Sequence, residues 1–481
     1  MKEEILRMER ITQIVDGTTL LDNFNLHIFE GEIMGLVSIN YHGQEALVRI
    51  ICQNIPIHYG YVYFQETLVN NYKHSSMTMN RVAVIEKQSR LVEDLTVVDN
   101  IFVLRNGFKK YLINPKILED QFKQFSKELG IHIDGNQLVS NLSFFEKCVV
   151  EMLKAIVGGV KLIVIKDISN FISTTDLIKI HDIIRYYSTQ GISFLYICNH
   201  HEEAFKICDR ISIMKNEKVL KVLSKKEFKQ EVIAPYTLDF NRIDSTTAGN
   251  ISKEGILSFQ NVSTDNIHNM NFSATEGECL VFLDMNNTVL EDIIKLMNHE
   301  ISPNSGKILF DDSNYNDVLS LRKNICFIQE NPIHSMLFKE MSYIDNLCFL
   351  LDKKYPNLWL SKKIKKSVIQ EYEPLLGKDI YCNDITELDA QSLYNLVYYR
   401  IHLYHPKVVF CIQPFSGADM YLRRHIVYLI NQLRKKKITV IILAVNLSDS
   451  LAVADRLMII EHGKLSKEYH SREFQSFREN Q

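Results

Sequence analysis

The chain repeats itself at a fixed separation of 246 residues, and nothing else in the sequence restricts its fold as strongly. Gly31-Glu32 recurs as Gly277-Glu278, and Asp209-Arg210 recurs as Asp455-Arg456. The same separation joins Asn23 to Asn269, Asn25 to Asn271, Gly60 to Gly306, Asp99-Asn100 to Asp345-Asn346, Leu142 to Leu388 and Lys161 to Lys407. Around Arg81 and Asn324 it shortens to 243, and it is restored by Asp99, so small insertions and deletions compensate. A period this long is no stacking unit of a solenoid. Each copy is therefore read as a domain: residues 1–240 and 255–481, with a polar, turn-rich linker at 241–254. Within each copy, strand-like apolar runs alternate with stretches of helical period. In the first copy those runs are EIMGLVSI, RVAVIE, LIVIKD and SFLYIC. The alternation predicts an α/β fold, a mostly parallel sheet covered by helices, with an antiparallel part near the start of each copy.

Composition narrows the setting. Hydrophobic residues at 46% and charged residues at 23% are ordinary for a globular chain. A net charge of −3 supplies no overall attraction to nucleic acid or to an anionic membrane, so no nucleic-acid partner is expected. Nine cysteines lack CxxC spacing, and MKEEILRMER has no apolar core, so the expected setting is the cytoplasm, with no signal peptide. The longest apolar runs, such as LIVI at 162–165 and VVFCI at 408–412, are strand-sized, so no transmembrane segment is expected. The stretch Lys353–Glu373 reads as a basic, amphipathic helix with a solvated face.

After the strand GEIMGLVSI comes NYHGQEALVRII, a turn leading into a helix. Strand, loop and helix in this order are the setting in which backbone N–H groups bind phosphate. A working loop adds glycines, a lysine for the β/γ-phosphates and a Ser or Thr hydroxyl for Mg²⁺. This loop has neither the lysine nor the hydroxyl. The shortage is global: only 18 glycines occur in 481 residues, roughly half the usual ~7%.

The framework nevertheless resembles the tandem ATP-binding subunit of ribose/galactose-type sugar importers, a branch of the ABC ATPases. The likeness lies in LLDNFNLHIFEGEIMGLVSIN (20–40), LVEDLTVVDNIFVLR (91–105), VEMLKAI (150–156) and GISFLYICNHHEEAFKICDRISIM (191–214). In the second copy YIDNL (343–347), HPKVVFCIQPFSGAD (405–419) and SLAVADRLMIIEHGKL (450–465) carry it. The resemblance spans essentially the whole chain. It implies two tandem ABC-type nucleotide-binding domains of the P-loop NTPase fold, each with a RecA-like core, an antiparallel β part and a helical subdomain. ATP and Mg²⁺ are implied by the family alone.

The family's site residues are mostly replaced. Its phosphate loop falls on Ser38–Ala46, where Asn40 and Gly43 match, Gln44 stands for the lysine, Glu45 for the Mg²⁺-binding hydroxyl and Ala46 for the last position. The adenine-stacking aromatic position is Val15, and the Mg²⁺-contacting glutamine is Lys87, with Gln88 beside it. The signature Leu-Ser-x-Gly-Gln is Leu142-Ser143-Phe144-Phe145-Glu146. The metal-binding aspartate is Lys166, the catalytic glutamate is Asp167, and the switch histidine is Asn199, followed by His200 and His201. In the second copy Leu290 and Glu291 take the lysine and hydroxyl positions, and Leu388-Asp389-Ala390-Gln391-Ser392 the signature. Gln413 and Val445 take the catalytic and switch positions, while Asp419 matches the aspartate that crosses the family's dimer interface.

Each loss weakens MgATP binding. A missing lysine removes charge-assisted bonds of about 1.5–3 kcal/mol each. A glutamate beside a polyphosphate repels it by about 4 kcal/mol at 4 Å and an effective dielectric of 20. No catalytic residue is intact, and hydrolysis is not expected. Two readings of site one are open: Glu45 forms a buried ion pair with Lys166 in place of Mg²⁺, with Lys87 as a further candidate partner, or the three charges have drifted and are solvated. No metal site is expected, because His200-His201-Glu202-Glu203 lacks the i, i+4 histidine pair of a zinc helix. Phe144 and Phe145 are read as filling space vacated by nucleotide.

The leading functional expectation is a non-hydrolysing, ATPase-like subunit of a carbohydrate importer with a structural or regulatory role. Its partners would be permease subunits or a true ABC ATPase subunit, with a homodimer also open, and it would lie peripherally on the inner face of the plasma membrane. The rival is an atypical but active ATPase that energises sugar import. A third reading is a free soluble regulator.

Overall fold

A computed structural model describes residues 3–40, 42–75, 77–104, 114–199, 201–233, 235–236, 255–315, 323–351, 362–447 and 449–474. The expected linker at 241–254, His200 and the first part of the basic 353–373 segment lie outside the described residues. The chain divides into two compact units, Met1–Leu238 and Asp239–Gln481.

In the first unit a six-stranded sheet runs in the order Lys218–Ser224, Arg210–Lys215, Ile33–Ser38, Ser193–Cys198, Leu162–Lys166 and Val82–Ile85. All neighbours are parallel except the edge hairpin of the first two. Ile33–Ser38 is buried at every position, as a central strand covered on both faces must be. A separate antiparallel sheet joins Thr18–Phe29, Glu4–Val15, Tyr59–Phe64, Thr67–Asn71 and His74–Ser75. Its strands alternate buried with exposed residues, the pattern of a sheet with one wet face. Helices such as Pro115–Leu129 and Phe144–Val157 complete the unit.

The second unit repeats this plan. Its large sheet runs Lys464–His470, Arg456–Glu461, Cys279–Asp284, Thr439–Ala444, Val408–Ile412 and Ile325–Ile328, the same order and directions. Its antiparallel sheet has four strands: Met270–Thr275, Gly255–Ser263, Ser305–Phe310 and Ser313–Asn314. Among the described residues no helix is long and apolar enough to cross a membrane.

The residues that mark the repeat meet in space within each unit. Arg210 Nε donates to Glu32 Oε1 at 2.6 Å, and Arg456 Nη1 to Glu278 Oε1 at 2.9 Å. Asp209 and Asp455 accept the N–H groups of Ile33 and Cys279 at 3.0 and 2.8 Å. These bonds clamp the start of the central strand to the strand beside it. Asn100 and Asn346 are equivalent in the same way: each is fully buried and ties the loop before a short helix to itself through three or four bonds to backbone.

Among the described residues each unit also buries one neutral histidine. His181 Nε2 lies 3.1 Å from the Tyr196 hydroxyl, and His402 Nδ1 lies 2.9 Å from the Tyr372 hydroxyl. Burial pushes both down to about 4 from 6.5, helped by Arg185 and Lys206 near His181 and by Lys436 and His405 near His402. Between those values the unfolded chain binds protons that the folded chain refuses. Their contribution is therefore full above 6.5 and is lost as pH falls toward about 4, by up to about 1.4 kcal/mol per pH unit for each histidine. Urea midpoints measured from about pH 7 to about pH 5 should fall, and fall less in the His181→Gln, His402→Gln double variant. Equal slopes for both proteins would refute the assignment.

Candidate functional site

In the first unit the strand Ile33–Ser38 leads through residues 39–43 into the helix Gln44–Gln53. Gly43 stands immediately before the helix at φ 78°. A Cβ there would lie 1.9 Å from the Leu20 carbonyl oxygen, so only glycine fits. Asn40 is bound to the opposite turn: its Nδ2 donates to Asn216 Oδ1 at 2.9 Å, and its Oδ1 accepts the Asn216 N–H at 3.3 Å. The Gln44 side chain is turned inward, with Nε2 donating to Ser38 Oγ at 3.3 Å. Ala46 is buried beside it.

Glu45 and Lys166 are brought together. Lys166 Nζ donates to Glu45 Oε2 at 2.9 Å and lies 3.9 Å from Glu86 Oε2, and Glu86 in turn accepts from Arg90 at 3.0 Å. The expectation of a buried pair is corrected in one respect. The Glu45 side chain is 68% exposed against 20% for Lys166, so the pair stands at the rim of the site. Its carboxylate is a charged helix-terminal residue that keeps its hydration, and such a pair is worth at most about 1 kcal/mol. The ammonium of Lys87 lies 4.4 Å from the centre of the Phe171 ring. Phe171 in turn meets Phe144 edge to face at 5.7 Å, and Lys179 covers Phe145 at 5.5 Å.

The signature segment has become a helix start. Ser143 N–H and Oγ–H donate to Glu146 Oε2 at 2.8 and 2.9 Å, while Glu146 N–H donates to Ser143 Oγ at 3.3 Å, a reciprocal cap on Phe144–Val157. Leu142, just before it, is buried. At the end of the strand Leu162–Lys166, Asp167 takes a left-handed backbone at φ 51°, and Asn199 Nδ2 donates to its Oδ1 at 3.0 Å. The catalytic and switch positions are therefore in contact with each other. Gln413 keeps the same kink at φ 42° in the second unit. A left-handed non-glycine residue costs on the order of 1–3 kcal/mol, and both copies bear it.

The rest of the second site is apolar or self-capped. Leu290 and Val445 are buried in the core between the sheets. Glu291 points outward to Lys295 at 2.6 Å, one helical turn on. Leu388 is half-buried, Asp389 caps the next helix by accepting the Ser392 N–H at 2.7 Å, and Asp419 caps Met420–Lys435 by accepting the Leu422 N–H at 2.9 Å. At the head of the loop stands Asp284, whose carboxylate accepts the N–H groups of Asn286, Thr288 and Val289 at 3.2, 2.8 and 2.7 Å. Among the described residues no three His, Cys, Asp or Glu side chains gather as metal ligands.

The ABC transporter family model matches residues 21–167. The ribose import ATP-binding protein of Clostridium perfringens strain SM101 is 23% identical over 475 residues, covering 96% of this chain and 95% of the relative. The galactose/methyl galactoside import ATP-binding protein of Haemophilus influenzae is also 23% identical, covering 96% and 94%. Along nearly its whole length the chain is similar to the ATP-binding proteins of ABC sugar importers. Among solved structures, the crystal structure of the complex of archaeal ribosomal stalk protein aP1 and an archaeal ribosome recycling factor matches with TM-score 0.63 at 14% identity, over 98% of this chain and 92% of that one. That likeness supports the two-cassette P-loop fold and nothing beyond it.

The two cassette-like units of this chain do not fit Mg²⁺ and ATP as the resemblance implies. An ammonium stands at the strand end where the family has a metal ligand, and it is already bonded to Glu45. Gln44 is folded back onto Ser38, and three N–H groups of the second loop are taken by Asp284. Sequence reasoning missed Glu86, Asn216 and Asp284, and placed Ser38 at the head of the loop without a role. For Asp284 a signal existed: an aspartate at the end of an apolar run, followed by Asn-Asn-Thr, is a side-chain-to-backbone turn pattern.

Proposed function

We propose that the chain is an ATP-binding-subunit-like component of a carbohydrate ABC importer that does not hydrolyse MgATP. It acts structurally or as a regulator on a permease or beside a catalytically complete ATPase. One observation carries the reading: Lys166 Nζ donates to Glu45 at 2.9 Å, so the residues at two of the positions the resemblance assigns to Mg²⁺ are paired with each other at the rim of the site. A divalent cation there would lose the carboxylate and hydroxyl ligands of the family together and would have to displace the Lys166 ammonium from Glu45.

The clamps that hold each cassette are kept while the chemistry is not, which favours an interaction role. Both units also keep an apolar side chain exposed at one repeat position in the segment joining core to helices, Val92 at 43% and Phe338 at 42%. Phe338 packs on Phe349 with ring centres 4.3 Å apart. We assign the permease contact to this segment.

Calorimetry of the purified chain with MgATP up to millimolar concentration tests the reading. No binding heat and no phosphate release are expected. A dissociation constant below about 100 µM, roughly 5.5 kcal/mol of binding, would overturn it in favour of an active cassette.

A further inference from the structure

The phosphate loop of the second unit contains its own anion. Asp284 ends the strand Cys279–Asp284 with 0% of its surface exposed. No basic side chain among the described residues forms an ion pair with it, so its charge is met by backbone alone. Oδ1 accepts the Asn286 N–H at 3.2 Å, and Oδ2 accepts those of Thr288 and Val289 at 2.8 and 2.7 Å. The helix Leu290–Met297 begins at the next residue, so the carboxylate also faces the positive end of that helix. Convergent N–H groups ahead of a helix are what a phosphate loop offers to phosphate. Here a side chain from the same strand has taken them.

The first unit has no counterpart. Ser38 occupies the equivalent repeat position, and its hydroxyl oxygen accepts from Gln44. The two loops also differ in backbone: Gly43 is left-handed at φ 78°, whereas Val289 lies at φ −104°. Residues 284–292 contain no glycine, and the left-handed position among them falls on Asn287 at φ 54°, two residues earlier in the loop than the repeat equivalent of Gly43. At the far end of the same segment Asp292, also buried, accepts from the Thr264 hydroxyl and from Asn266 N–H and Nδ2–H at 3.4 and 3.2 Å. The second loop is thus braced at both ends by inward carboxylates.

We propose that Asp284 is a built-in substitute for phosphate: it fills the anion position of the second loop from within, keeps that loop folded without nucleotide, and closes it to polyphosphates. The inference rests on reading the second cassette as nucleotide-free and goes further by naming what occupies it.

Amide hydrogen exchange on the full chain, resolved to individual residues, tests it. Without nucleotide, Thr288 and Val289 should be protected, and millimolar MgATP or pyrophosphate should leave their rates unchanged. Asp284→Ala should speed exchange at both by about tenfold or more. Asp284→Asn, which keeps an acceptor but loses the charge, should give a smaller rise in the same direction, and it supplies the test if the alanine variant does not fold. Unchanged protection at Thr288 and Val289 in the variant, or added protection there by MgATP or pyrophosphate in the native chain, would overturn the proposal. Slowing by MgATP confined to His42 and Gly43 would count against the non-hydrolysing reading of the first cassette while leaving Asp284 in its role.

Discussion

The triple variant Gln44→Lys, Glu45→Ser, Lys166→Asp should bind MgATP at least 100-fold more tightly than the native chain, a gain of about 3 kcal/mol or more. Three terms act together. The new lysine brings charge-assisted bonds of about 1.5–3 kcal/mol each, the serine removes a like charge from the phosphate site, and the aspartate returns a metal ligand. The structure indicates that the exchange is tolerable. Glu45 and Lys166 are partners, so replacing both leaves neither charge stranded, and Glu86 retains Arg90 at 3.0 Å. Gly43, which the turn requires, is still in place. Calorimetry on both proteins measures the gain. Restoring Lys166→Asp alone would strip Glu45 of its counter-ion, and this single variant should bind far less than the triple. A triple variant that folds but gains no affinity would mean that the loop backbone is no longer a phosphate cradle, and the loss would then lie deeper than these side chains.

Arg456→Met should destabilise the second unit by about 3–5 kcal/mol, the largest effect expected of a single substitution far from the nucleotide positions. Glu278 is almost wholly buried and would lose its cationic partner at 2.9 Å. The arginine also holds Glu468 at 2.7 Å and the Ser273 carbonyl at 2.9 Å, so three bonds go with it. Urea unfolding should show an earlier transition for the second unit, analysed as one of two transitions. Adding Glu278→Gln should recover much of the loss, because the uncompensated charge is what costs most. A shift below about 1 kcal/mol for Arg456→Met would show that water reaches Glu278 and screens it.

How much of this was legible depends on which physical quantity the sequence encodes. The repeat was, because Gly31-Glu32 and Asp209-Arg210 recur as pairs and serve one clamp in each unit. The sheet was, because continuous apolar runs such as LIVI can be strands only when both faces are covered. The meeting of Glu45 with Lys166 was one of two readings the resemblance left open, and the exposure of Glu45 was not legible. Gln44 turning inward to Ser38 was not legible, since a side chain of that length serves equally well pointing either way. Asp284 was missed for a different reason. Its role is defined by the directions of three backbone N–H groups, and residue identity says little about those.

The clamps lie where the central strands begin, at Ile33 and Cys279, whereas the phosphate-loop positions Gln44, Glu45, Leu290 and Glu291 follow the opposite ends of those strands. Folding information and ligand information thus occupy opposite poles of each sheet. The clamp bonds do not depend on the side chains at the ligand pole, so a chain built this way can discard one chemistry and try another while the start of each central strand stays held. The cassette is in that sense a stable pedestal, and the loops at its upper pole are open ground on which selection can write again.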